Sequence, residues 1–180
     1  MVYILLAQGF EEAEALVPAD LLRRAGIKVV LASHKAEDVT GGRGITIKVD
    51  EPLAHLDLTK ADMIVLPGGG VGVRNLSEDP VTEAMVQEAI DRNLWVAAIC
   101  AAPTLLGRWG NLRGKKAVCY PGMEDGLKGA EPQMDSGVVV DGKIITARAC
   151  GSAFDFGLKL VEVLAGADMA EKIRSEIYYG

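Results

Sequence analysis

A cysteine stands directly after an apolar run, at Cys100. The run before it, Trp95–Ile99, predicts a buried strand, and the residues after it predict a helix over Ala101–Leu106. Ala98 and Ala102, two residues to either side, are small, as a sharp turn between a strand and a helix requires. A helix start stabilises a thiolate through its unpaired N–H groups. The pattern therefore predicts that Cys100 is an activated nucleophile, with a thiol pKa lowered from about 8.5 to about 5.5.

The other two cysteines carry no such context. Most cysteines are small buried core residues, and this interpretation is kept for Cys119 and Cys150. Three is an odd number, and none of the three belongs to a CxxC pair. The sequence therefore predicts free thiols in a reducing cytoplasm rather than a disulfide framework.

A glycine-rich segment follows another predicted strand, Met63–Leu66. Glycines such as Gly68 and Gly69 allow backbone N–H groups to approach a ligand closely. Alone, the segment is consistent with a phosphate cradle or a tight turn, but it lacks the Lys-Ser/Thr of a P-loop. At the carboxyl end of a neighbouring strand it would face Cys100 as an oxyanion site.

Three acids, Glu11, Glu12 and Glu14, open the first predicted helix. Acids at a helix start usually lie on the surface and favour the dipole, and we expect this of Glu11 and Glu12. Glu14 lies one turn further on and is expected to face inward. A carboxyl beside a thiolate would have a raised pKa and would stay protonated, able to pass a proton.

Apolar runs alternate with helical patterns along the chain, which predicts an α/β fold with a mostly parallel sheet in one domain over residues 1–180. The predicted strands are Val2–Ala7, Lys28–Ala32, Met63–Leu66 and Trp95–Ile99, with a hairpin or flap over 40–49 and a second hairpin over 137–146. The predicted helices are Glu12–Ala25, Val81–Arg92, Ala101–Leu106, Ala153–Leu164 and Met169–Ile177. Pro18 should kink the first helix or mark its true start.

Composition argues against several classes of partner. The formal net charge is −6 and basic residues never run longer than two, which argues against nucleic acid. No apolar stretch approaches the roughly 18 residues of a membrane span, and the apolar N-terminus lacks the charged region of a signal peptide. With two histidines, His34 and His55, a zinc site is not expected.

Several segments together resemble the ThiJ/PfpI superfamily in its DJ-type branch. They are Gly9–Glu14, Leu21–Val29, Leu66–Gly69, Asn75–Ser77, Ala97–Thr104, Thr146–Arg148 and Ser152–Phe156, in the family's order. The resemblance implies a flavodoxin-like three-layer sandwich, a homodimer and a site without cofactor or metal. It implies Cys100 as the reactive residue, Glu14 as its protonated partner, and the N–H groups of Gly69 and Ala101 as the oxyanion hole.

The sequence departs from the family pattern at the positions where histidine is expected. The protease-like branch has histidine directly after the nucleophile, where this chain has Ala101, and many DJ-type members have histidine where this chain has Tyr120. A Cys-His-Glu peptidase or amidotransferase is therefore not expected, and Tyr120 is left as a hydrogen-bonding wall. After Arg148, Ala149-Cys150 replaces a common Gly-Pro, which would bring a second thiol toward the pocket.

The resemblance implies two functions for these residues. In the first, Cys100 attacks a small reactive carbonyl, as in a glyoxalase III-like or deglycase enzyme that converts methylglyoxal to lactate. In the second, oxidation of Cys100 to sulfinate is the signal of a redox sensor or chaperone. A non-catalytic binding module would leave the cysteine elbow unused. The apolar face of the first helix, around Leu16, Val17, Leu21 and Leu22, is the expected homodimer surface.

Overall fold

The computed structural model describes residues 1–34 and 37–180. Its strands are β1 (Val2–Leu6), β2 (Val29–Ser33), β3 (Val39–Thr40), β4 (Thr46–Ile47), β5 (Glu51–Pro52), β6 (Met63–Leu66), β7 (Trp95–Ile99), β8 (Lys116–Ala117), β9 (Glu131–Pro132), β10 (Val138–Asp141) and β11 (Ile144–Ala147). Its helices are α1 (Glu12–Arg24), α2 (Gly70–Glu78), α3 (Pro80–Asp91), α4 (Pro103–Arg108), α5 (Ala153–Ala165) and α6 (Ala167–Glu176).

Seven strands form the central sheet, in the order β10-β11-β7-β6-β1-β2-β5. Every neighbouring pair is parallel except β10 and β11, which form the hairpin that Asp141-Gly142 predicts. The strands β1, β2 and β6 are buried along their whole length. Their apolar residues on both faces explain this, because a parallel sheet is covered by helices on both sides.

Successive strand residues point to opposite faces and build two separate cores. One core contains residues of α2, α3 and α4, together with Leu5, Leu66 and Ala98 of the sheet. The other contains residues of α1, α5 and α6, together with Ile4 and Ile99. The expected flavodoxin-like three-layer sandwich is confirmed.

Three details differ from the sequence-based expectations. Helix α2 was not expected, because its glycines resemble those of a loop. Helix α4 begins at Pro103 rather than Ala101, because Pro103 has the fixed φ of a first helical residue. Pro18 lies inside α1 and does not mark its start. A Cβ at Gly157 would lie 3.1 Å from the Pro18 Cα, so α1 and α5 pack in close contact there.

No helix in the described part of the chain is long and apolar enough to cross a bilayer.

Candidate active site

Cys100 occupies a strained turn at the carboxyl end of β7. Its φ of 65° lies in the left-handed region, which costs a non-glycine residue of order 1–2 kcal/mol. Two backbone hydrogen bonds hold it there: its N–H donates to the Ala147 carbonyl (2.9 Å), and its carbonyl accepts from the Tyr120 N–H (2.7 Å). The predicted elbow is therefore present, although Cys100 and Ala101 form a turn before α4 rather than its first residues.

Gly68 lies between Cys100 and Glu14. Its N–H donates to Oε2 of Glu14 at 2.8 Å, and Glu14 is fully buried. A Cβ on Gly68 would stand 2.7 Å from the Cys100 Cβ and would overlap the Glu14 carboxyl. Only glycine fits this position. Its lack of a side chain lets the backbone of residue 68 lie between the Cys100 side chain and the Glu14 carboxyl.

The Glu14 carboxyl lies beside Cys100, since one Cβ placed on Gly68 would overlap Glu14 Oε2 and stand 2.7 Å from the Cys100 Cβ. Burial raises the pKa of Glu14 from 4.5 to about 7, although its hydrogen bonds to Cys100 and Gly68 oppose the rise. Its other oxygen, Oε1, is buried and has no hydrogen-bond partner of standard geometry among the described residues. An oxygen that carries the proton itself needs no donor. The site therefore favours a neutral Glu14 below neutral pH.

The predicted lowering of the thiol pKa is wrong for a site with a charged Glu14. Burial, followed by the charge and hydrogen bond of Glu14, raises the pKa of Cys100 to about 12. Hydrogen bonds from the N–H groups of Ala101 and Gly69 oppose this rise. The N-terminus of α4 was expected to lower the pKa of the Cys100 thiol. This effect is weak, because α4 begins three residues after Cys100 and has only six residues.

Cys100 and Glu14 together carry no more than one negative charge near neutral pH. Two charges in one buried site repel each other, so the second proton leaves only at high pH. When the one charge lies on sulfur, a neutral Glu14 donates to it and no longer repels it. Ala101 and Gly69 then supply two more donors to the same sulfur.

Gly69 is held against the loop after β1. Its φ is 93°, and a Cβ there would lie 2.7 Å from the Glu11 N and 2.8 Å from the Phe10 carbonyl carbon. The Glu11 N–H also donates to the Gly68 carbonyl at 3.0 Å. The segments after β1, β6 and β7 therefore meet at one edge of the sheet, where ligands of open α/β sheets bind.

Glu12 is not a surface residue, contrary to expectation. It is buried, and its Oε1 accepts hydrogen bonds from the backbone N–H groups of Arg43 (2.7 Å) and Ile45 (3.3 Å). This carboxyl anchors the β3–β4 hairpin that the glycines of residues 40–44 predict. Glu11 is partly exposed, 3.9 Å from the Arg43 guanidinium. Sequence reasoning missed the link between Glu12 and the hairpin, because nothing in the spacing of these residues connects them.

Tyr120 contacts the elbow through its backbone N–H, whereas the hydrogen bonds of Arg148 are made outside the site. The Tyr120 side chain is 49% exposed, and its hydroxyl makes no hydrogen bond within the described residues. Its role as a hydrogen-bonding wall for a substrate stays a prediction. The Arg148 guanidinium donates to the Met134 carbonyl at 3.3 Å, and its backbone N–H donates to Gly137.

The remaining thiols differ in exposure. Cys119 is buried, its Sγ donates to the Tyr120 carbonyl at 3.4 Å, and burial raises its pKa to about 11. Cys150 is exposed. Partial burial raises its pKa, the charges of Glu11 and Glu14 add to the rise, and the charge of Arg43 opposes it. Cys150 therefore lies within electrostatic range of the candidate site.

Both histidines lie elsewhere. The Nδ1 atom of His34 is 2.8 Å from Oδ2 of Asp79, and His55 is 3.9 Å from Glu51. Among the described residues, neither imidazole is hydrogen-bonded to Cys100 or Glu14. No group of three or more potential metal ligands occurs among residues 1–34 and 37–180.

The sheet order and the elbow define a flavodoxin-like α/β protein whose candidate site is a cysteine–carboxyl pair. A family model described as the DJ-1/PfpI family matches residues 1–163. The chain belongs to the DJ-1/PfpI family.

Relatives match along nearly the whole chain. Protein dj-1beta of Drosophila melanogaster is 38% identical over 172 residues, covering 94% of this chain and 92% of its own length. Its crystal structure superposes with a TM-score of 0.95, covering 99% and 97% of the two chains at 36% identity. The glutathione-independent glyoxalase DJR-1.2 of Caenorhabditis elegans is 32% identical over 164 residues (91% and 87%). A structure of oxidised Toxoplasma gondii DJ-1 has a TM-score of 0.91 and 35% identity (99% and 98%).

Proposed function

We propose that this protein converts small reactive carbonyls, such as methylglyoxal to lactate, without glutathione, metal or organic cofactor. The observation that carries the proposal is the buried pair of Cys100 and Glu14, with two backbone N–H groups directed at the sulfur. The glyoxalase relative supports the choice of substrate class. Removal of sugar-derived adducts, a deglycase reaction, belongs to the same class of chemistry.

The reaction begins when the Cys100 thiolate attacks the aldehyde carbon and forms a C–S bond. The aldehyde oxygen becomes an oxyanion, which the N–H groups of Gly69 and Ala101 stabilise and Glu14 protonates. The hydrogen on that carbon then moves to the adjacent ketone carbon as a proton by way of an enediol, leaving a thioester. Water hydrolyses the thioester, which releases the hydroxy acid and restores the thiol. A carboxyl with a pKa of about 7 is suited to passing these protons near neutral pH.

Peptide hydrolysis is not proposed. Amide cleavage must protonate a poor amine leaving group, which an imidazole beside the nucleophile normally does. Here His34 and His55 pair with other acids, and the residue after Cys100 is Ala101. An aldehyde has no amine to expel, so one mobile proton on Glu14 is sufficient.

The second candidate function is a redox sensor or chaperone that responds through oxidation of Cys100. The same donors that would hold an oxyanion would also hold the oxygens of a sulfinate. The oxidised form of the related Toxoplasma protein supports this candidate. It uses the same thiol and needs no turnover.

A paired assay tests the proposal. Purified protein is incubated with methylglyoxal, and separately with casein, beside the variants Cys100→Ser and Cys119→Ser. We expect lactate formation that Cys100→Ser abolishes and Cys119→Ser retains, with no peptide cleavage. Cleavage of casein that depends on Cys100 would contradict the proposal, and inactivity in both assays would favour the sensor.

The cellular setting is also proposed. Three free cysteines, including a reactive one, fit the reducing cytoplasm.

We infer a homodimer through α1, at a smaller surface than the sequence suggests. Leu21 and Leu22 are buried inside the chain, so only Leu16 and Val17 of the expected face remain partly exposed.

A further inference from the structure

Cys150 follows the strand that pairs with the strand of Cys100. Strands β7 and β11 are parallel, with Ile99 opposite Ala147. The Cys100 N–H donates to the Ala147 carbonyl at 2.9 Å, and Cys150 follows three residues later. Adjacent strands lie about 4.8 Å apart, and both cysteines follow the carboxyl ends of parallel strands, so their backbones lie at the same edge of the sheet.

The charge of Glu14 acts on both thiols. Its carboxyl lies beside Cys100 across Gly68, and its charge raises the pKa of Cys150 as well as that of Cys100. Cys150 is exposed and begins a 3₁₀ turn, whereas Cys100 is partly buried. Cys150 is therefore the more accessible of the two thiols to solvent.

We propose that Cys150 is a resolving thiol for Cys100, so that oxidation of the site ends in an intramolecular disulfide. The inference rests on the reactive Cys100 of the proposed function. A hydroperoxide transfers its outer oxygen to the Cys100 sulfur, giving a sulfenic acid and an alcohol (water from hydrogen peroxide). The Cys150 thiol then attacks the sulfenic sulfur. The S–S bond forms, the S–O bond breaks, and the hydroxyl leaves as water with the thiol's proton.

This product protects the site. A sulfenic acid that meets no thiol is oxidised further to sulfinate, which thiol reductants do not reverse. A disulfide requires the two Cα atoms to lie about 4.4–6.8 Å apart. The turn Cys150–Ser152 follows Ala149, which has extended backbone with φ of −166°. Cys150 and Gly151 are exposed, so this short turn can adjust without moving the buried strands.

Cys119 is the matched control for this reaction. It is buried in the core on the α2–α4 side of the sheet, whereas Cys100 packs against the opposite core. Its thiol already donates to the Tyr120 carbonyl. It is therefore a third thiol without access to the site.

Trypsin separates the three cysteines for the test. Cleavage after Lys and Arg leaves them on different peptides, residues 93–108, 117–128 and 149–159. The whole reduced protein is treated with hydrogen peroxide, its free thiols are blocked, and the digest is analysed without reduction. We expect residues 93–108 to be linked to 149–159. The variant Cys150→Ser should lose the link and accumulate sulfinate on Cys100, whereas Cys119→Ser should retain the link.

Several results would overturn the inference. They are equal sulfinate formation with and without Cys150, a link through Cys119, a link only between two chains, or a Cys100 that hydrogen peroxide leaves reduced. Carbonyl conversion is measured on the same reduced samples as a separate readout of the proposed function. If the link forms but no carbonyl is converted, the proposed function fails and this inference stands.

Discussion

The Glu14 carboxyl lies beside Cys100 across the Gly68 backbone, and Glu14 has no exposed surface. The pair cannot carry two charges without strong repulsion, so one proton stays with it through neutral pH. Which atom holds that proton decides whether the sulfur is a nucleophile. The N–H groups of Gly69 and Ala101 favour the state in which the sulfur is charged.

Alkylation of Cys100 should follow the titration of this pair. The pair loses its first proton near the Glu14 pKa of about 7, and the N–H groups of Gly69 and Ala101 draw part of that charge onto the sulfur; the second proton leaves only near the Cys100 pKa of about 12. Cys119 is buried and its pKa is raised to about 11. We expect iodoacetamide labelling of Cys100 to rise across neutral pH while Cys119 stays unlabelled, as measured by mass spectrometry of the tryptic peptides. The variant Glu14→Gln should lose the rise in Cys100 labelling near pH 7. Labelling of Cys100 no faster than Cys119 at every pH would contradict the shared charge.

Stability should fall as pH rises through the titration of Glu14. Its folded pKa of about 7 lies above the value of 4.5 expected when unfolded, so between these values only the folded state holds the proton. The full loss is about 3 kcal/mol, from roughly 2.5 pKa units, and Glu14→Gln should not show it. Urea unfolding from about pH 4.5 to 8 measures the difference. The exposed Glu83→Gln on α3 is the control, and parallel curves for Glu14→Gln and the unaltered chain would refute the assignment.

Gly68 should not tolerate a methyl group. Alanine there would press on the Cys100 Cβ and the Glu14 carboxyl, at a cost of roughly 1–3 kcal/mol. We expect Gly68→Ala to lose most carbonyl conversion and Cys100 labelling. Gly70→Ala is the matched control, because no atom lies within 4 Å of its added Cβ and it stands at the start of α2. Equal effects of both variants in the two assays would argue against the role of Gly68.

The dimer prediction concerns the remaining apolar surface of α1. A charge at Leu16 should block association there, because an unpaired buried charge is costly. We expect light scattering of the unaltered protein to give twice the 19.1 kDa chain mass, and of Leu16→Asp to give the single mass. Val71→Asp, at an exposed position on α2, is the control. A chain that is monomeric without any substitution would refute the dimer.

Much of the fold could be predicted from the sequence. The spacing of apolar residues and the residues that begin and end helices and strands are local signals. Strands β6 and β7 begin and end where their apolar runs do, and Asp79 caps α3 by accepting from the Val81 N–H at 2.9 Å. Helix α2 could not be predicted, since its two glycines disfavour a helix in isolation. Packing of Val73 and Leu76 against the sheet outweighs that propensity.

The sequence by itself determined the residue types of the candidate site. A cysteine between small residues after a strand, glycines after the next strand, and an inward acid one turn into α1 are all readable locally. Only the tertiary structure decided the charges on these residues and the place of Glu12. Burial sets whether a carboxyl or thiol ionises, and Glu12 is buried because the β3–β4 hairpin folds over it. Burial depends on segments distant in the chain, which no local pattern contains.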